Sequence, residues 1–150
     1  MIELPPLTPA EVLWGAMVGV MRQAQNIKIK RKPAYGAGDD DDWTKHIEGA
    51  LAEMTFAKYM GVYWTGAFCF RASDVGGWNV RCRSRHSYDL ILHEEDPDDG
   101  KFVLLTGKNG IYRLHGGIVA SEGKLNKYWS DPAGGRPAFF VPKSMLTPIE

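Results

Sequence analysis

Residues 74 to 83 read Asp-Val-Gly-Gly-Trp-Asn-Val-Arg-Cys-Arg: an acid, a tight turn, then a strand with a polar residue at every second position. Side chains alternate along a strand, so Trp78, Val80 and Cys82 point one way and Asn79, Arg81, Arg83 and a continuing Arg85 point the other. A row of guanidinium groups repels itself and resists burial. It calls for water, carboxylates or an anionic ligand such as a phosphate backbone. The chemistry these ten residues suggest is phosphate handling.

Two carboxylates could join them. Glu53 falls in the middle of a helical stretch beside Gly49, Ala50 and Ala57, which lie three or four residues away and are small enough to let another backbone come close. It reads either as a solvated residue at the edge of an apolar face or as a metal-binding or catalytic acid. Asp74 reads either as a turn-former bonding its own backbone or as a second functional acid at a strand end.

The elements that must position these groups follow from local patterning. Thr8-Pro9-Ala10-Glu11 has the form of a capping box with proline at the first helical position, so a helix is expected from there to about Gln25, with Leu13, Met17, Val20 and Met21 as its apolar face. Next come Ile27 to Lys32, where Lys28, Lys30, Arg31 and Lys32 form a basic run interleaved with isoleucine, and a Gly- and Asp-rich loop over 33–42. A second helix is expected from Trp43 or Thr44 to Gly61, with Ile47, Leu51 and Met54 at core spacing. After Tyr63 the texture is β-branched and aromatic. Strands are expected over 67–71, 78–83, 88–92, 102–106, 112–120 and 138–141, with Glu94 to Gly100 as a hairpin loop, a turn at Gly107 to Gly110, and short helices near 124–129 and after Pro142. Helices first and strands afterwards define an α/β (α+β) domain: a central mixed β-sheet flanked by N-terminal helices.

A helical Glu53, Asp74 at a strand end and a following strand with alternating polar groups resemble the PD-(D/E)XK, or restriction-endonuclease-like, nuclease superfamily, and within it small phage and prophage proteins. The likeness is carried by Glu48 to Glu53 and Tyr59-Met60-Gly61, by Asp74 to Arg81, and by segments 102–107, 112–118 and 137–142. It spans about residues 44–149. The resemblance implies that Glu53 and Asp74 hold Mg²⁺ or Mn²⁺ and that the metal activates water to cleave DNA. Asn79 stands where the family carries a second strand acid, and Arg81 where it carries lysine. Asn79 would then be an auxiliary ligand. Arg81, protonated at any accessible pH, could steady a transition state but not act as a base. The alternative is a non-catalytic nucleic-acid-binding or protein-interaction module derived from that fold.

Composition sets the outer bounds. A chain of 150 residues, 44% hydrophobic and 24% charged, suits one globular domain. Eighteen basic residues balance eighteen acidic ones, so affinity for DNA must come from placement: Arg81, Arg83, Arg85 and the run Lys28, Lys30, Arg31 and Lys32 are the candidates. Cys69 and Cys82 are too few for a disulfide framework and lack zinc-site spacing, so both are expected as reduced, buried thiols. His46, His86, His93 and His115 show no metal-ligand spacing, and Asp39 to Asp42 reads as a solvated loop. No run approaches the roughly 20 apolar residues needed to span a bilayer. A cytoplasmic location without a membrane partner is the expectation.

Overall fold

The computed structural model describes residues 1–29, 41–66 and 73–150. The expected strand at 67–71, most of the 33–42 loop, Cys69, and the basic residues Lys30, Arg31 and Lys32 lie outside the described residues. The elements are β1 (Ile2–Glu3), α1 (Pro9–Lys28), α2 (Asp42–Met60), β2 (Trp78–Arg83), β3 (Leu90–Leu92), β4 (Lys101–Lys108), β5 (Ile111–Val119), α3 (Ala120–Gly123), β6 (Trp129–Ser130) and β7 (Ala138–Val141), with 3₁₀ turns at 126–128 and 143–145. The class is mixed α and β, as the order of patterns implied.

Both long helices begin where capping chemistry directs, and α2 also ends there. Thr8 and Glu11 exchange side-chain and backbone hydrogen bonds in a complete capping box at the head of α1. Asp41 caps α2 through the Trp43 amide, and Gly61 closes it in the left-handed conformation at φ 65°. Helix α1 runs a turn further than expected, so Lys28 belongs to its last turn rather than to a separate basic segment.

The strands form two sheets where the sequence suggested one. β1, β5, β4 and β2 make a four-stranded mixed sheet in that order, β2 parallel to β4 and the other pairs antiparallel. β3, β7 and β6 make a second, antiparallel sheet. Glu94 to Gly100 is therefore not a hairpin loop: it leads from β3 in one sheet to β4 in the other. Turn-forming residues are the same for both connections, so composition could not separate them.

Strand β4 divides two cores. Val103 and Leu105 face one side with Tyr112 and Leu114, under Leu51, Met54 and Phe56 of α2. Phe102 and Leu104 face the other with Leu90, Leu92, Ile118 and Val141, beneath the second sheet. A register shift between Leu104 and Leu105, opposite His115 of β5, is the one irregularity in the β4–β5 ladder.

The apolar face assigned to α1 is corrected by the structure. Leu13, Met17, Val20 and Met21 are exposed, and the buried positions are Gly15, Gly19 and Gln23. Two glycines four residues apart let α2 lie so close that a Cβ on Gly19 would come within 2.5 Å of the Ile47 Cα, and one on Gly15 within 2.7 Å of the Leu51 side chain. Close backbone approach decides the packing face here, not side-chain hydropathy.

Candidate functional site

The Asp74 segment folds as its sequence requires. Gly76 and Gly77 both have positive φ, at 55° and 88°, the conformation a two-residue hairpin turn demands of its central residues. Val75 and Trp78 exchange backbone hydrogen bonds across the turn at 3.0 and 2.8 Å. The chain reverses at once, and Asp74 is brought alongside β2, where its Oδ2 accepts from the Val80 amide at 2.7 Å. Asp74 thus bonds the backbone as a turn-former would, but across the hairpin at Val80 rather than within the turn itself.

Glu53 is buried, with 7% of its surface exposed, so it is no solvated boundary residue. The Arg22 guanidinium reaches from α1 and donates to both carboxylate oxygens, Nη1 to Oε1 at 2.7 Å and Nη2 to Oε2 at 2.8 Å. Trp64 Nε1 adds a third donor to Oε2 at 3.1 Å. Asp74 is close enough for Glu53 to act on it electrostatically: burial first, and the Glu53 charge second, push the Asp74 carboxyl up to about 6, against the opposing pull of the Val80 amide, Arg81 and Arg22. The two acids singled out from sequence therefore share one locale, joined by an arginine and a tryptophan that sequence reasoning missed. A signal for Arg22 existed: it is a lone charge on α1 between Glu11 and Lys28, and a buried carboxylate requires a partner of that kind.

Asn79 and Arg81 lie on the other face of β2. Trp78, Val80 and Cys82 pack into the core beneath α2. Asn79 and Arg81 pair in register with Phe102 and Leu104, which belong to the second core. Asn79 donates to the Lys101 carbonyl at 3.1 Å. Arg81 is paired with Asp96 at 2.6 Å and stacks on Phe102 at 4.9 Å. Asp96 also accepts from the His93 amide, while Lys124 donates to Asp98 and to the Glu94 and Asp96 carbonyls. Arg81 and Lys124 together fasten the Glu94–Gly100 connection. The strand places Arg81 in structural work, and the expected grouping of Glu53, Asp74, Asn79 and Arg81 is divided between two faces.

A divalent metal fits the acid pair poorly. Both oxygens of Glu53 are taken by nitrogen donors and one of Asp74 by the backbone. Among the described residues no group of three or more His, Cys, Asp and Glu side chains could hold a metal ion. Glu48, the next acid along α2, accepts from both the Asn109 amide and the Tyr112 hydroxyl and so ties α2 to the β4–β5 turn. Asp89 sits 4.0 Å from Lys143.

Beyond β2 the remaining arginines assemble differently. Arg83 lies over the Tyr88 ring at 4.6 Å and donates to the Asp89 carbonyl at 2.8 Å; Arg85 approaches the same ring at 5.7 Å. Among the described residues neither forms a salt bridge to a carboxylate. Lys143 donates to the His86 and Tyr88 carbonyls at 2.9 and 3.2 Å. The fully buried Thr106 hydroxyl joins His86 Nδ1 and His115 Nε2, each at 2.7 Å. Burial, then the charges of Lys143, the N-terminus, His86 and Arg113, lower the His115 pKa to about 4. Cations thus crowd one end of β2, and the histidine pair bridged by threonine had no sequence signature, because its members stand on a loop and two strands.

Cys82 is a free thiol, half-buried rather than buried as expected, and desolvation pushes its pKa up to about 12. No helix among the described residues is long and apolar enough to cross a membrane. Family models, curated proteins and solved structures offer no match to the chain.

Proposed function

We propose that this chain is a non-catalytic nucleic-acid-binding module with a restriction-endonuclease-like layout, whose acid pair is held by an internal arginine. The observation that supports this over a metal-dependent nuclease is the two-pronged Arg22–Glu53 pair: a guanidinium neutralises the carboxylate that a metal would need. The phosphate-facing surface is the end of β2, where Arg83 and Arg85 flank Tyr88 beside His86 and Lys143. A planar cation against an aromatic ring suits a phosphate backbone with an unstacked base.

Fluorescence anisotropy with single- and double-stranded oligonucleotides across a salt series tests the proposal, run beside a cleavage assay in Mg²⁺ and Mn²⁺. Salt-dependent binding without cleavage is expected, with Arg85→Ala lowering the salt slope by about one. Cleavage abolished by Asp74→Ala would restore the nuclease reading. Absence of binding to either strand form would leave a protein-interaction role.

A further inference from the structure

Helix α1 carries a second pattern on the face turned away from α2. Ala10, Leu13, Met17, Val20, Ala24 and Ile27 follow one another at spacings of three, four, three, four and three residues, the alternation of a coiled-coil seam. All six are exposed, Leu13 at 64%, Met17 at 62%, Val20 at 43% and Ile27 at 56%. The charged side chains of the helix before its last turn point elsewhere: Glu11 pairs with Lys58 and Arg22 with Glu53. The seam is apolar along its whole length.

We propose that α1 packs against α1 of a second copy of this chain, antiparallel, in a two-fold symmetric dimer. Three observations converge on that occupant. The first is size complementarity. With the two-fold axis between Met17 and Val20, Ala10 meets Ile27 of the second copy, Leu13 meets Ala24, and Met17 meets Val20. Every small or short residue thus faces a longer one, and the layers interdigitate without voids. A parallel pair would set alanine on alanine twice and leave gaps. The second is electrostatic: the seam brings no like charges together, and antiparallel helices oppose their dipoles favourably. The third is area. The seam, flanked by the exposed Trp14 and Met21, presents on the order of 600 Å² of apolar surface, close to the roughly 800 Å² per partner of a standard interface and at the upper end for the largest patch of a monomer.

With Trp14 and Met21 along one edge the apolar strip takes three positions in seven, and the helix carries no charge between Glu11 and Arg22, so the strip lacks the basic border of a face that wets lipid. The strip is the width of another helix.

Sedimentation equilibrium of the full chain tests the proposal. Wild type should dimerise with a concentration-dependent mass, and Val20→Glu should weaken the dimer by about tenfold or more while leaving the circular dichroism melt of the monomer intact, because Val20 touches solvent. Orientation is read by oxidative cross-linking with wild type as the control for Cys69 and Cys82. Leu13→Cys chains mixed with Ala24→Cys chains should cross-link to each other, and Leu13→Cys alone should not. A wild type that stays monomeric at high micromolar concentration overturns the proposal, whether the seam is then covered by its own chain or bound to anionic vesicles in a flotation assay. Efficient Leu13→Cys self-cross-linking would overturn the antiparallel arrangement.

Discussion

Arg22 and Glu53 meet fork to fork across the α1–α2 interface, with both N–H···O contacts below 3 Å and both side chains largely buried. This pair joins the glycine-packed helices to the acid-bearing locale of β2, and it dictates how the molecule should respond to substitution.

Removing one partner of a buried pair leaves a stranded charge. Arg22→Met should therefore destabilise the protein by about 3–5 kcal/mol, whereas Arg22→Met combined with Glu53→Leu should recover much of that loss. Urea denaturation of wild type and the two variants checks the order. Equal losses in the single and double variants would mean that the charges contribute nothing to each other.

The same arginine governs metal affinity. Calorimetric titration of Mn²⁺ into wild type should show no binding near neutral pH, and Arg22→Ala should gain weak binding dependent on Asp74, since Glu53 then loses two of its three nitrogen donors beside a second acid. Strong binding by wild type would show that Arg22 does not keep a cation from Glu53.

Asp74 and His115 should pull the pH dependence of stability in opposite directions. Asp74 rises from its ordinary 3.8 to about 6 on folding, so the native state holds the extra proton. Its contribution is full below pH 3.8 and is lost as pH rises through 6. His115 falls from 6.5 to about 4, so its contribution is full above pH 6.5 and is lost as pH falls through 4. Between pH 4 and 6 the two offset each other. Thermal melts should show Asp74→Asn gaining stability relative to wild type with rising pH in that window and His115→Gln losing it. Parallel curves for both variants would refute the assignment.

Gly19→Ala tests the close approach of the helices. The added methyl would meet the Ile47 backbone at 2.5 Å and the His46 carbonyl oxygen at 2.7 Å, neither of which can rotate away. A loss of about 1–3 kcal/mol is expected by calorimetry. A neutral or stabilising outcome would show that the helices separate without cost.

Local chemistry was legible in the sequence wherever one residue type had one meaning. Thr8 with Glu11 marked a helix start, Gly61 a helix end, and the Gly76-Gly77 turn with its alternating strand gave β2 to the residue. The proximity of Glu53 and Asp74 could also be reasoned. What could not be read depended on pairings distant along the chain: Arg22 with Glu53, Arg81 with Asp96, and the two histidines on Thr106. Hydropathy points to the wrong face of α1 because Gly15 and Gly19 contribute nothing to it yet let α2 approach more closely than any larger side chain would. The second sheet has no local signature because β3 finds its partner in β7, some fifty residues later, rather than in its neighbour β4.

β4 has side chains in both hydrophobic cores, and its backbone is bonded on each edge, to β2 on one side and β5 on the other. Neither core can loosen without withdrawing support from this strand, so the two should melt as a single cooperative unit rather than in sequence. In native-state hydrogen exchange the amides of Val103, Leu104 and Leu105 should be the slowest of the described residues and exchange only through global opening, while those of the peripheral β6 escape through local fraying.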